Sequence, residues 1–388
     1  MSSSGIVVGP NVRGVCMGVA ALGLSTLGAG LALSPTRGFS SLLINGFFFL
    51  TLALGGAVFL ALNSVANAGW YTVFKRIPEA FASYVPVGAA SLLVVLAGLP
   101  SLYLWARPGV METDHLLHKK AAFLNAPGFA IRMAVMLAIW AFFTWRLRRN
   151  SLAQDSEASP RPTRGNVATS AVFLVVFAIT FCMASFDWLM SLEPHWFSTI
   201  YGLYNIAGML ASSVAAITLA VVLMKNSGLM KEINTSHLHD LGKLMFGFAT
   251  LWAYLWFSQF LLIWYSNIPE ETVYFIHRMH GGWGPLFYLN LALNWALPFV
   301  LLLPKPAKRN PTHLCYVAGV MLAGRWLDLH LMISPANMPE YAGVGVWDAA
   351  GLLGLGALFV LTVTRTMGSV PLIARHDPYL VESLHHHT

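Results

Sequence analysis

Residues 187–200 read DWLMSLEPHWFSTI. Two acids, a proline, a histidine and two tryptophans crowd a stretch that is flanked on both sides by almost purely apolar sequence. A run of about 20 apolar residues spans the hydrocarbon of a bilayer, so the stretch reads as the place where one spanning helix surfaces and the next begins. Pro194 lacks a backbone donor and suits a helix stop followed by a new start. Trp188 and Trp196 stand where an interfacial aromatic belt would lie.

The pattern repeats along the chain. Of 388 residues, 57% are hydrophobic and 10% charged, against about 25% charged in soluble domains. The fold class this predicts is all-α: a polytopic membrane protein of ten helices, with cores near 12–34, 40–62, 85–106, 127–149, 167–189, 196–224, 241–265, 282–303, 311–332 and 344–366. One integral membrane domain covers 1–388, with a first four-helix bundle over 40–189, a second over 190–332, and the last helix and tail over 333–388. Asp187-Trp188-Leu189 and Arg325-Trp326-Leu327 lie four predicted helices apart, which points to two parallel repeats about an axis along the membrane normal. The start, MSSSGIVVGPNVRG, is a poor signal peptide, because only Arg13 precedes a long apolar run; it reads as an uncleaved first helix. Residues 63–84 are too polar to span and read as an interfacial helix, with Trp70, Tyr71, Phe74 and Phe81 toward lipid and Lys75, Arg76 and Glu79 toward water. Residues 148–166 read as a flexible loop rich in Ser, Pro and charge.

The net charge of +7 sits in loops rather than on a nucleic-acid-binding face. With the N-terminus in the cytoplasm, 16 of the 23 Lys and Arg fall on the cytoplasmic side, five on the other, and Arg132 and Arg325 inside helices. This bias places both termini in the cytoplasm. Cys16, Cys182 and Cys315 are isolated, so no zinc, iron–sulfur or covalent haem motif is present.

Ionisable side chains at bilayer depth cost about 2.5–3.5 kcal/mol each and turn toward the bundle interior. The candidates are Arg132, Asp187, Arg325, Asp328, His330 and Asp348, with Glu193 and His195 beside them. They gather in one half of the membrane, as a half-channel or ligand pocket would. Arg325 and Asp328, at i and i+3, share a helix face and can pair. The plainer reading is a set of salt bridges locking helices, although Asp187, Glu193 and His195 exceed what one structural pair needs. Thr250, Tyr254 and Ser258 recur every four residues in helix seven, continued by Tyr265. Such a stripe can relay protons through ordered water, or simply bond carbonyls and neighbouring helices. Trp252 and Trp256 read as packing and lipid contacts, and Asn290 and Asn294 repeat the polar device in helix eight. His237, His239 and Asp240 read as a solvated helix start rather than a metal site, and His385–His387 as a solvated tail. No histidine pair makes a case for haem b.

Four blocks carry a resemblance: DWLMSLEPHWFSTIYG, HDLGKLMFGFATLWAYLWFSQFLLIWYSNIPEE, GRWLDLHLMISP and PLIARHDPYLVESLHH. With the less specific GWYTVFKRIPEAF, they resemble the smaller NrfD-like membrane subunits of bacterial alternative complex III. The resemblance implies a fold of two four-helix bundles plus two helices, in the inner membrane. It implies a part in a quinol:cytochrome c or quinol:oxidase oxidoreductase, with quinone or quinol as the ligand. Haem and iron–sulfur clusters are then expected only in partners: the multihaem cytochrome c and iron–sulfur subunits, a larger NrfD-like quinol-binding subunit, and a terminal oxidase. Three roles compete: a non-redox subunit conducting protons, a quinol-oxidising subunit with His195 or Asp328 as proton acceptor, and a scaffold. A separate secondary transporter is a distant fourth. Soluble partners are expected on the outer side, near Glu270, Glu271 and the 107–126 loop with His115 and His118.

Overall fold

A computed structural model describes residues 9–388. It is helical throughout, with no strand among the described residues. Ten helices are long and apolar enough to cross a membrane: α1 Pro10–Leu33, α2 Pro35–Val65, α3 Arg76–Leu102, α4 Ala126–Ser156, α5 Arg161–Leu192, α6 Tyr201–Asn226, α7 Thr235–Ser266, α8 Trp283–Leu302, α9 Pro311–Asn337 and α10 Val346–Gly368. The chain is thus a multi-pass membrane protein. The signal-peptide reading falls partly on residues 1–8, outside the described residues; α1 itself begins at Pro10.

α2 is the hub. It packs against α1, α3, α5, α6, α9 and α10, and its apolar stretch is buried all round, as a helix without a polar face must be. α1 reaches the bundle through α10, where an added Cβ on Gly23 would sit 2.6 Å from Gly354 Cα. Small residues allow this approach, and van der Waals contact rather than hydrophobic exclusion joins helices in lipid.

Several expectations need correction. Residues 63–84 are not an interfacial helix. α2 continues to Val65, α3 starts at Arg76, and Tyr71, Phe74, Lys75, Arg76, Glu79 and Phe81 are all buried. The charges are enclosed because partners arrive from far along the chain. Lys75 Nζ meets Asp377 at 2.9 Å, while Arg76 binds Glu79 at 2.5 Å and also pairs with Asp155. Burial pulls the Lys75 amine down, but Tyr71, Asp377 and Glu79 outweigh it and hold it above its ordinary range. The expected 148–166 loop is mostly helix, since α4 runs to Ser156 and α5 starts at Arg161. Trp188 and Trp196 form no lipid belt. Both are buried, Trp188 against Phe47 and Trp140, and Trp196 stacked on Tyr274 with centroids 3.9 Å apart. α9 does not close at Ser334–Pro335 but runs through to Asn337.

The terminal histidines are not a free tail either. His386 Nε2 lies 2.5 Å from Asp240, and its backbone carbonyl accepts from Asn234 at 2.8 Å. With Ser383 bonded to Val73 and Trp70, residues 377–388 strap the face formed by the ends of α2 and α7.

Candidate functional site

The buried polar centre is built on α9. Arg325 Nη1 meets Asp328 Oδ2 at 2.6 Å, one turn apart as the i, i+3 spacing predicts. Both side chains are enclosed. Asp328 also accepts the Tyr204 phenol of α6, the Trp252 indole of α7 at 3.1 Å and the Asn290 amide of α8 at 3.1 Å. Arg325 Nη2 donates to Asn205 Oδ1 at 3.0 Å. Asn294, in a π-helical turn of α8, donates to Asn290 Oδ1 at 2.7 Å and steadies that amide. Four helices therefore converge on one carboxylate, each supplying it with a hydrogen-bond donor. The guanidinium fits only because residue 208 is glycine: a Cβ there would collide with it.

Two openings approach this pair from opposite ends of the bundle. On one side a cavity of about 20 Å³ touches Asp328, Asn290, Tyr204, Gln259 and Arg278. That is room for about one water. Gln259 Oε1 is buried without a protein partner and supplies such a water with an acceptor. Arg278 leads outward, binding Glu193 at 2.5 Å and lying over the Tyr274 ring at 3.5 Å. Burial pushes the Tyr274 phenol up to about 12. Burial also pulls on the Arg278 guanidinium, but Glu193 and Tyr274 hold it above its ordinary value. Glu193 stands at the protein's edge.

On the other side a crevice of about 420 Å³ lies between α2, α6 and α7. Asp240 and Lys243, paired at 2.5 Å, stand at its mouth, and Ser213 lies at its inner end. Ser213 is five residues beyond Gly208, roughly 7.5 Å of helix rise from the glycine that seats Arg325. The ion pair thus lies between the water-sized cavity and the inner end of a largely apolar crevice.

The remaining sequence candidates disperse. Asp187, Glu193 and His195 do not form a trio. Helix α5 passes through a π-helical turn at Ser185–Leu189 and a tight turn at Met190–Leu192, which swings the three apart. Asp187 takes a two-pronged bond from Arg132 of α4, at 2.7 and 2.9 Å. Glu193 goes to Arg278. His195 Nε2 meets Asp114 at 3.0 Å on the surface. The Leu117 amide, then Leu116 and His195, hold the Asp114 carboxyl below its ordinary value.

The hydroxyl stripe of α7 faces away from the site. Thr250 bonds its own helix at Phe246, and Tyr254 and Tyr265 are 66% and 83% exposed. The inward face carries Trp252 and Gln259 instead, so Trp252 is a ligand of Asp328 rather than a lipid contact. His330 lies on the far face of α9, bonded to Ser334 at 3.2 Å and Gly343 O at 3.1 Å and stacked on Trp326. Asp348 is not deep in a helix. It caps the start of α10 through Gly345 N at 2.8 Å and accepts from Ser41. His237 caps α7 with Asn234 and is buried under the strap, not solvated. Among the described residues no three His, Cys, Asp or Glu side chains converge as a metal site.

Sequence reasoning missed Tyr204, Asn205 and the inward turn of Arg278; Gln259 stands out in the sequence beside the α7 hydroxyl stripe, but the structure places it on the inward face. Asn205 carried a signal, as a lone amide within the apolar run of α6. No protein-family model matches the chain, and a search of the curated proteins finds no match.

Proposed function

We propose that this chain is a non-redox membrane subunit of a quinol-oxidising complex of the alternative complex III type, and that it conducts protons through Asp328. The observation that carries the reading is a single buried carboxylate, gripped by four helices, between a water-sized cavity and a crevice from the opposite face. In this scheme a proton arriving by way of the cavity water protonates Asp328 and loosens its bond to Arg325. Asp328 then gives the proton up toward the other recess, and the pair closes again. Arg325 and the Tyr204 phenol hold the carboxylate in position for the transfer.

Direct quinol oxidation at this pair fits less well, because the cavity beside Asp328, about 20 Å³, has room for a water and not for a quinone ring. In the proposed arrangement the chain sits in the cytoplasmic membrane with its basic loops inside. The haem and iron–sulfur subunits dock outside, near Glu270, Glu271, His115 and His118, with the larger quinol-binding subunit alongside in the membrane.

The test is Asp328→Asn in the assembled complex, with proton translocation and quinol oxidation measured together. Loss of translocation with electron transfer retained is expected. Loss of quinol oxidation would make this subunit the oxidising one. Unchanged values of both would leave it a scaffold.

A further inference from the structure

Away from Asp328 lies another small polar cavity, of about 20 Å³. Three separate parts of the chain meet around it: the end of α2 with the connection that follows, the start of α5, and the strap. Asn67 and Lys75 come from the first, Asn166 from the second, and Asp377 and Tyr379 from the third. The Tyr379 phenol donates to Asn67 Oδ1 at 3.3 Å and draws the strap toward the α2 end.

Two of the lining side chains have hydrogen-bonding capacity left over. Asn166 is 8% exposed, and its Oδ1 is buried with no protein partner. Leaving a buried acceptor unsatisfied is costly. Lys75 is buried as well, and its ammonium carries three N–H donors. The Asp377 carboxylate takes one of them at 2.9 Å. The direct bonds of residues 377–388 run to the α2–α3 connection and to the start of α7. Among the described residues no direct hydrogen bond carries the strap to α5.

Charge decides what can fill the space. A cation would stand beside the Lys75 ammonium, and an anion beside the Asp377 carboxylate. A neutral molecule that both accepts and donates suits the two together, and a cavity of this size admits one water. We propose that it holds one ordered water, which accepts from Lys75 and donates to Asn166 Oδ1 and to Asp377. Three partners are the usual coordination of a buried water. A bridge of this kind holds nearly as well as a direct bond, so the water ties the strap and Lys75 to the start of α5. None of these groups takes part in the proposed proton route, and the water stands or falls apart from it.

The test is an experimental map of the assembled protein in nanodiscs, fine enough to show buried waters, together with hydrogen exchange of the peptide covering the strap. One density peak is expected, at about 2.7–3.2 Å from both Lys75 Nζ and Asn166 Oδ1. Asn166→Leu removes the acceptor at similar volume. The peak should vanish and the strap amides exchange about tenfold faster, the worth of one buried hydrogen bond. Asn166→Asp keeps an acceptor there and should retain both the peak and the slow exchange. The proposal is overturned by an empty cavity, by a peak with the short contacts of a metal cation, or by Asn166 bonded directly to a neighbouring side chain. It is also overturned by unchanged strap exchange in folded Asn166→Leu. Should neither variant fold, the map of the unaltered protein decides by itself.

Discussion

Two of the arginine–carboxylate pairs buried among the spanning helices, Arg132–Asp187 and Arg325–Asp328, differ in kind. Arg132 and Asp187 join α4 to α5 by two parallel bonds, and the guanidinium remains partly open. It also lies over the Phe123 ring at 4.0 Å. The carboxylate is wholly enclosed. Arg325 and Asp328 sit on a single helix, so their bond fastens nothing to anything. What joins helices there is the shell of Tyr204, Asn205, Trp252 and Asn290 around them, with a water-sized space alongside. An ion pair that bridges helices is accounted for by packing. One closed within a helix and surrounded by donors is what the proposed proton carrier at Asp328 requires.

The sharpest way to break this contrast is Arg325→Ala. It leaves Asp328 buried without its cation and should cost about 3–5 kcal/mol of stability, read as a lowered thermal midpoint of the purified protein. Next is Asp328→Asn, which keeps the shape and most donors. Proton flux in proteoliposomes bearing the complex should fall by about a hundredfold, the usual worth of a positioned acid–base group, with the thermal midpoint little changed. Arg132→Ala should cost less, about 1–3 kcal/mol, because solvent already reaches the guanidinium. Flux through the folded variant should be untouched; a parallel fall in flux would erase the distinction between the pairs. Gly208→Ala tests the seat of Arg325, with about 1–3 kcal/mol of overpacking and flux reduced though no titratable group is altered. The smallest effect belongs to Tyr254→Phe. Its outward phenol predicts a change within about 0.5 kcal/mol and normal flux, and any loss of flux would return the α7 stripe to the pathway.

The ten spans were legible because apolar length is a local property. So was the Arg325–Asp328 bond, which depends only on helical spacing. The α7 stripe shows the limit. Its four-residue period was read correctly, but period does not fix phase, and the face turned inward is the one with Trp252 and Gln259. Asp187, Glu193 and His195 were grouped because they are close in sequence; the π-helical turn and the tight turn after it rotate them toward three different partners. Lys75 and Arg76 were assigned to water because their acids lie at Asp377 and Asp155, separations that no local pattern reports. Arg278 was counted among loop cations for the same reason, since its neighbours come from Glu193 and the carbonyls of Leu331 and Met332.

The strap formed by residues 377–388 carries a consequence for biogenesis. Lys75 is synthesised 302 residues before the aspartate that neutralises it, and Asp240 precedes His386 by 146. Until residues 377–388 have been made, the ends of α2 and α7 that they cover stand unsealed, with Lys75 and His237 uncovered. Closure of this face therefore waits for the strap, and a chain truncated before Asp377 would present quality-control proteases with a bundle whose base is open.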